Sequence, residues 1–82
     1  MFENLFYMIE EKLLKNIGKR IKELREERNL EQQDLGGKCN LNNSALSRIE
    51  SGRINSTVST LNKIAVALEV PLKELFSFKS EE

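Results

Sequence analysis

The sequence predicts an all-α fold: a compact domain of five short helices, with an extra helical segment at its N-terminus. Three features point to it. Apolar residues recur at three- and four-residue intervals along nearly the whole chain, the period of helices that each bury one face. Glycine (4) and proline (1) are scarce, and runs of β-branched residues are absent. At 82 residues, 39% apolar and 32% charged, the chain can build one small core and not two.

In residues 1–16, Phe2, Leu5, Phe6, Ile9 and Leu13 fall on one helical face, while Asn16 and Gly18 interrupt or weaken the join to the next helix. This segment is either a helix of its own or an extension of that next one. Its apolar face either covers the core or contacts a second copy. Ile17, Ile21, Leu24 and Leu30 mark the first helix of the domain proper, which Asn29 is suited to end in left-handed geometry. Leu35 and Cys39 mark the second, ended in the same way by Asn40. Asn42 stands where an N-cap belongs, with Leu41 and Leu46 at the spacing of a hydrophobic staple. Leu46 and Ile49 mark the third helix, ended by Gly52. Thr57 caps the fourth, which carries Leu61, Ile64, Ala65 and Leu68. Pro71 opens the fifth, with Leu72, Leu75 and Phe76. The expected organisation is a helical extension over 1–16, the domain over 17–77 and a polar tail over 78–82. All four phenylalanines lie near the ends. Phe2, Phe6, Phe76 and Phe78, with Leu5 and Ile9, are therefore the residues expected at a dimer interface.

Composition excludes several functions. Thirteen basic residues balance thirteen acidic ones, and the chain has one cysteine and no histidine. That leaves no intrachain disulfide and none of the usual zinc or iron sites, so no metal or cofactor is expected. Cys39 reads as a small buried apolar residue. No apolar run approaches the roughly 20 residues of a membrane span, and the start does not read as a secretion signal, so a cytoplasmic protein without membrane contact is expected. No catalytic residue stands out, because no nucleophile is paired with a base, and a domain this small offers no large cleft. The neutral total argues at first against a nucleic-acid partner. Resolved by region, it does not. Residues 38–63 carry Lys38, Arg48, Arg53 and Lys63 against Glu50 alone, a net +3, while residues 1–16 sum to −1 and residues 66–82 to −2.

The basic stretch coincides with a helix, a short turn and a helix, about Gln32–Cys39, Asn40–Asn42 and Asn43–Ser51. This is the spacing of a helix-turn-helix, whose second helix enters a DNA major groove. On that helix Leu46 and Ile49 point inward, and Asn43, Ser44, Ser47 and Arg48 point outward. Asn suits adenine N6/N7, Arg suits guanine O6/N7, and Ser suits either. A merely solvated polar face would show the same alternation. Gln32 stands at the first turn of the preceding helix, where free N–H groups and the positive helix end attract a phosphate.

Three runs in register, Gln32 at its helix start, Ser47 to Gly52 (SRIESG) and Ala67 to Phe76 (ALEVPLKELF), resemble the Cro-like phage-repressor class, the XRE family of helix-turn-helix regulators. The resemblance covers about residues 17–76. It implies a lambda-repressor-like five-helix fold and DNA-backbone contacts from Gln32, Arg53, Asn55 and Ser56. It also implies a partly buried ion pair between Arg25 and Glu50. The function it implies is a homodimeric regulator of repressor, controller or antitoxin type, reading a palindromic double-stranded DNA site. With no small-molecule ligand domain expected, control would come from concentration, dimerisation or a protein partner. The alternative is a protein-interaction module that keeps the fold without binding DNA. Four positions depart from the family pattern. Glu31 replaces a Ser or Thr cap, Gly36 a small alanine, Asn40 a turn glycine and Ser56 a proline, which together suggest a looser second helix.

Overall fold

The structure, a computed structural model, describes the backbone of residues 2–78 and the side chains of residues 4–78. Helix α1 runs over Phe2–Glu27, α2 over Gln32–Cys39, α3 over Asn43–Glu50 and α4 over Val58–Leu68, and a 3₁₀ turn follows at Leu72–Phe76. The described residues contain no strand. Of the expected polar tail, residues 79–82 lie outside the described residues, as does the side chain of Phe2 among the expected dimer contacts. Phe78 packs half-buried against the core.

The fifth helix is a single 3₁₀ turn instead of an α-helix. Pro71 sets its start, and its first bond is the i→i+3 contact from the Glu74 N–H to the Pro71 carbonyl at 2.9 Å. Five residues are enough to turn Leu75 into the core, where it is fully enclosed.

The join at residues 16–18 is unbroken, so residues 2–16 extend the first helix. A glycine inside a helix costs about 1 kcal/mol, yet Gly18 has a packing reason. A Cβ there would run into the carbonyl oxygens of Ile49 and Glu50, so the backbone of α1 lies directly against the end of α3. A helix of 26 residues is about 39 Å long, and the molecule measures 42 × 23 × 19 Å. The first turns of α1 therefore project beyond the domain and do not cover the core: Leu5, Phe6 and Ile9 are more than half exposed, whereas Leu14 already stands beside Ile17, Ile49 and Leu61.

The predicted stripes do meet. Ile17, Ile21, Leu24, Leu35, Cys39, Leu46, Ile49, Leu61, Ile64, Ala65, Leu68 and Leu75 form one buried cluster. Side chains such as Ile21, Leu35 and Leu46 are wholly enclosed, and truncating one of this size to alanine costs about 2–5 kcal/mol. The stops also fall as expected at Asn29 (φ 57°), Asn40 (φ 61°) and Gly52 (φ 75°). The end of α4 differs, because Glu69 adopts the left-handed conformation (φ 63°) and brings the Val70 N–H to the Ala65 carbonyl at 3.0 Å. Arg20 ties the 3₁₀ turn to α1, donating from Nε to the Glu74 carbonyl at 3.0 Å and from Nη2 to Glu74 Oε1 at 3.1 Å.

Candidate nucleic-acid interface

The turn between α2 and α3 is built from short-range chemistry. With Asn40 left-handed, the Leu41 N–H reaches back to the Gly36 carbonyl at 2.8 Å. A Cβ on residue 36 would meet the Leu41 carbonyl oxygen, so glycine lets the turn close this tightly, and an alanine there would need Leu41 to move back. Asn42 Oδ1 then accepts from the Ala45 N–H at 2.8 Å and starts α3. Glu31 lacks a hydroxyl, but its own N–H is satisfied by Asp34 Oδ2 at 2.9 Å, so the start of α2 is held from within its first turn. At the far end of α3, Gly52 lets the Arg53 N–H return to the Arg48 carbonyl at 2.9 Å.

Leu46 and Ile49 are buried on α3, which leaves Asn43, Ser44, Ser47 and Arg48 exposed along one ridge. Among the described residues no ion pair holds Arg48 or Arg53. Both guanidinium groups stand in solvent.

The orientation of that ridge rests on one carboxylate. Arg25 on α1 grips Glu50 on α3 with two bonds, Nε to Oε2 at 2.8 Å and Nη2 to Oε1 at 3.1 Å. Its third nitrogen, Nη1, donates to the Leu30 carbonyl at 2.7 Å. Gln32 on α2 adds a further bond, from Nε2 to Glu50 Oε1 at 3.0 Å. Arg25 and Glu50 are only 6% and 8% exposed. The Glu50 bonds raise the guanidinium pKa above its ordinary value against the opposing effect of burial, so Arg25 stays charged. Three helices thus meet on Glu50, and their relative angles are set by a planar, bidentate contact.

The other expected contact residues divide. Gln32 stands at the first residue of α2, half-buried, with one amide N–H directed to Glu50. Arg53 and Asn55 are exposed in the loop after α3. Ser56 is turned inward: its hydroxyl is enclosed and finds no hydrogen-bond partner among the described residues. It lines a cavity of about 30 Å³ with Leu14, Ile17, Ile49, Ile54 and Leu61. Two further residues belong to this face. An open polar groove of about 610 Å³ runs between the end of α1 and the starts of α2 and α3, and it brings Lys22 and Gln33 beside Gln32 and Asn43, with the carboxylates of Glu26 and Glu31 on its wall. Lys22 lies one turn before Arg25 on α1, a spacing readable from the sequence. Gln33 differs from its neighbour only in facing solvent, which the sequence does not reveal.

Elsewhere the chemistry is quiet. Cys39 is buried, its Sγ–H donates to the Leu35 carbonyl at 3.1 Å, and burial raises the thiol pKa. Among the described residues no group of His, Cys, Asp and Glu could hold a metal ion, and no helix is long and apolar enough to cross a membrane.

Comparison with known proteins agrees with this geometry. A helix-turn-helix family model matches residues 21–75. The chain is 42% identical over 59 residues to the immunity repressor protein of Bacillus phage phi105, covering 72% of this chain and 41% of the repressor. It is 36% identical over 61 residues to the control protein C.MunI of a Mycoplasma species, covering 73% of this chain and 82% of that protein. Among solved structures, the restriction-modification controller protein C.AhdI from Aeromonas hydrophila superposes with a TM-score of 0.75 at 33% identity, covering 77% of this chain and 96% of the controller. The chain therefore spans less than half of the phage repressor it matches and most of the two controllers. These relatives are regulators and not enzymes, and the chain belongs to the helix-turn-helix family of transcriptional regulators.

Proposed function

We propose that this protein is a sequence-specific double-stranded DNA-binding regulator that acts as a homodimer on a palindromic site. The observation that carries the proposal is the ridge of Asn43, Ser44, Ser47 and Arg48 on α3. It is polar and exposed, and a buried ion pair that has no need of solvent-facing residues holds it in place. In this reading α3 lies in the major groove and Arg48 pairs with guanine O6 and N7. Gln32 Nε2 carries a second N–H besides the one given to Glu50, and this proton meets a phosphate while the Glu50 bond fixes the amide plane. Arg53, Asn55 and Lys22 add backbone contacts. The inward hydroxyl of Ser56 must rotate before it can join them. Two α3 helices would read half-sites about 34 Å apart. The relatives named for immunity repression and for restriction-modification control support a repressor or controller role.

Selection of bound duplexes from a random pool tests the proposal. It predicts enrichment of a two-fold symmetric site, with binding that weakens steeply as salt rises. Recovery of no preferred sequence, with binding absent at low salt, would instead favour a protein-interaction module.

A further inference from the structure

We infer that the projecting start of α1 is a dimerisation rod, which pairs with the same segment of a second copy in parallel. The inference deepens the homodimeric reading above by assigning its surface.

The spacing comes first. Phe2, Phe6, Ile9, Leu13 and Asn16 succeed one another at intervals of four, three, four and three, the repeat of a two-helix seam. The seam shares one edge with the core-facing line, since Phe6 stands five full turns before Leu24, but its Ile9 and Asn16 side is rotated from Ile17, Ile21 and Leu24 by about a quarter turn. Ile9 lies nine positions before Gly18, about half a turn around the helix axis. Gly18 is the point where α1 touches α3. The seam therefore runs down the side of α1 opposite α3. None of the other described elements covers it there, and Phe6 remains 66% and Ile9 58% exposed. A second copy can occupy the seam without touching the ridge of α3.

The size and charge of the seam point to a copy of itself. Leu5, Phe6, Ile9 and Leu13 leave roughly 400 Å² of apolar surface in water, as much as the largest patch on many whole monomers. Two such faces, with the stems of their flanking residues, bury about 1,000 Å² in total, the lower bound for a specific, reversible interface. Glu10 borders the seam on one side and Lys12 on the other. In a parallel pair the Glu10 edge of each helix faces the Lys12 edge of its partner, whereas an antiparallel pair sets like edges together. Asn16 closes the seam with a polar residue. One turn further on, the same line reaches Arg20, which holds Glu74 of the 3₁₀ turn. Phe76, two residues beyond Glu74 in the same turn, is exposed.

Sedimentation of the full chain between about 1 and 500 µM tests the inference. The native protein should dimerise in the micromolar range. Phe6→Glu and Ile9→Lys should each weaken association at least tenfold while leaving helix content unchanged, because both side chains are exposed. Met8→Lys, off the seam, should have no effect. Under mild oxidation, Ile9→Cys should cross-link to its counterpart and Met8→Cys should not, with buried Cys39 silent. A monomer at every concentration, a dimer indifferent to both seam substitutions, or equal cross-linking at positions 8 and 9 would overturn the parallel seam. None of these outcomes would touch recognition of a half-site by a single α3, which is scored separately by duplex selection.

Discussion

Replacing Glu50 with alanine should remove a large share of this domain's stability, although the residue is polar and lies at a helix end. In the native structure Arg25 is 6% exposed and donates two of its bonds to Glu50, at 2.8 and 3.1 Å. Without the carboxylate, the guanidinium stays in a site with too little water to solvate it and keeps only the Leu30 carbonyl. Stranding one member of a buried pair costs about 3–5 kcal/mol. A domain of this length has about 4–12 kcal/mol in total. With a urea m-value near 1 kcal/mol/M, the midpoint should fall by about 3 M or more. The double variant Arg25→Met/Glu50→Leu, which removes both charges and keeps the volume, should recover to within about 2 kcal/mol of the native chain. Urea denaturation followed by circular dichroism, with all four members of the cycle, gives the coupling directly. A cost below about 1 kcal/mol for Glu50→Ala would overturn this picture, since it would mean that the pair is solvated like a surface salt bridge.

Other variants probe the remaining contacts. Gly18→Ala improves intrinsic helix propensity, yet it should destabilise by about 2 kcal/mol or more, because its Cβ must push α3 away from α1; a raised melting temperature would rule out the close crossing. Glu69→Gly should stabilise by about 0.5–1 kcal/mol in thermal melts, since the left-handed conformation at φ 63° strains any residue with a Cβ. Cys39 should resist thiol reagents in the native state. Its folded pKa lies above the ordinary 9.0, so the neutral thiol's contribution is complete below that value and is lost as pH climbs past it, where the unfolded chain ionises first. Stability of the native chain should therefore fall more steeply above pH 9 than that of Cys39→Ala.

Much of the fold is legible in the sequence because it is local. The caps at Asn42 and Thr57 and the left-handed stops at Asn29, Asn40 and Gly52 depend on one or two neighbouring residues, and each takes its expected place. The apolar stripes locate every buried core residue from Ile17 to Leu75. The unread features depend on contacts between distant segments. Gly18 looks like a helix breaker until α3 is laid across it. Gln32 looks like a free surface amide until Glu50, eighteen residues away, arrives beside it. Ser56 faces inward because Leu14, Ile17 and Leu61 surround it, and no pattern near position 56 announces them. The end of α4 at Glu69 carries no glycine or asparagine to mark it.

The proposed complex divides recognition between two helices: α3 reads bases through Arg48, while Gln32 at the start of α2 holds the backbone. Affinities of Arg48→Ala and Gln32→Ala for every single-base variant of the selected site separate the two roles. Arg48→Ala should lose about 1–3 kcal/mol on the preferred site and flatten discrimination at one base pair of each half-site. Gln32→Ala should weaken all sequences by the same factor. A uniform loss from Arg48→Ala, with base preference unchanged, would contradict the assignment of α3 as the reading helix.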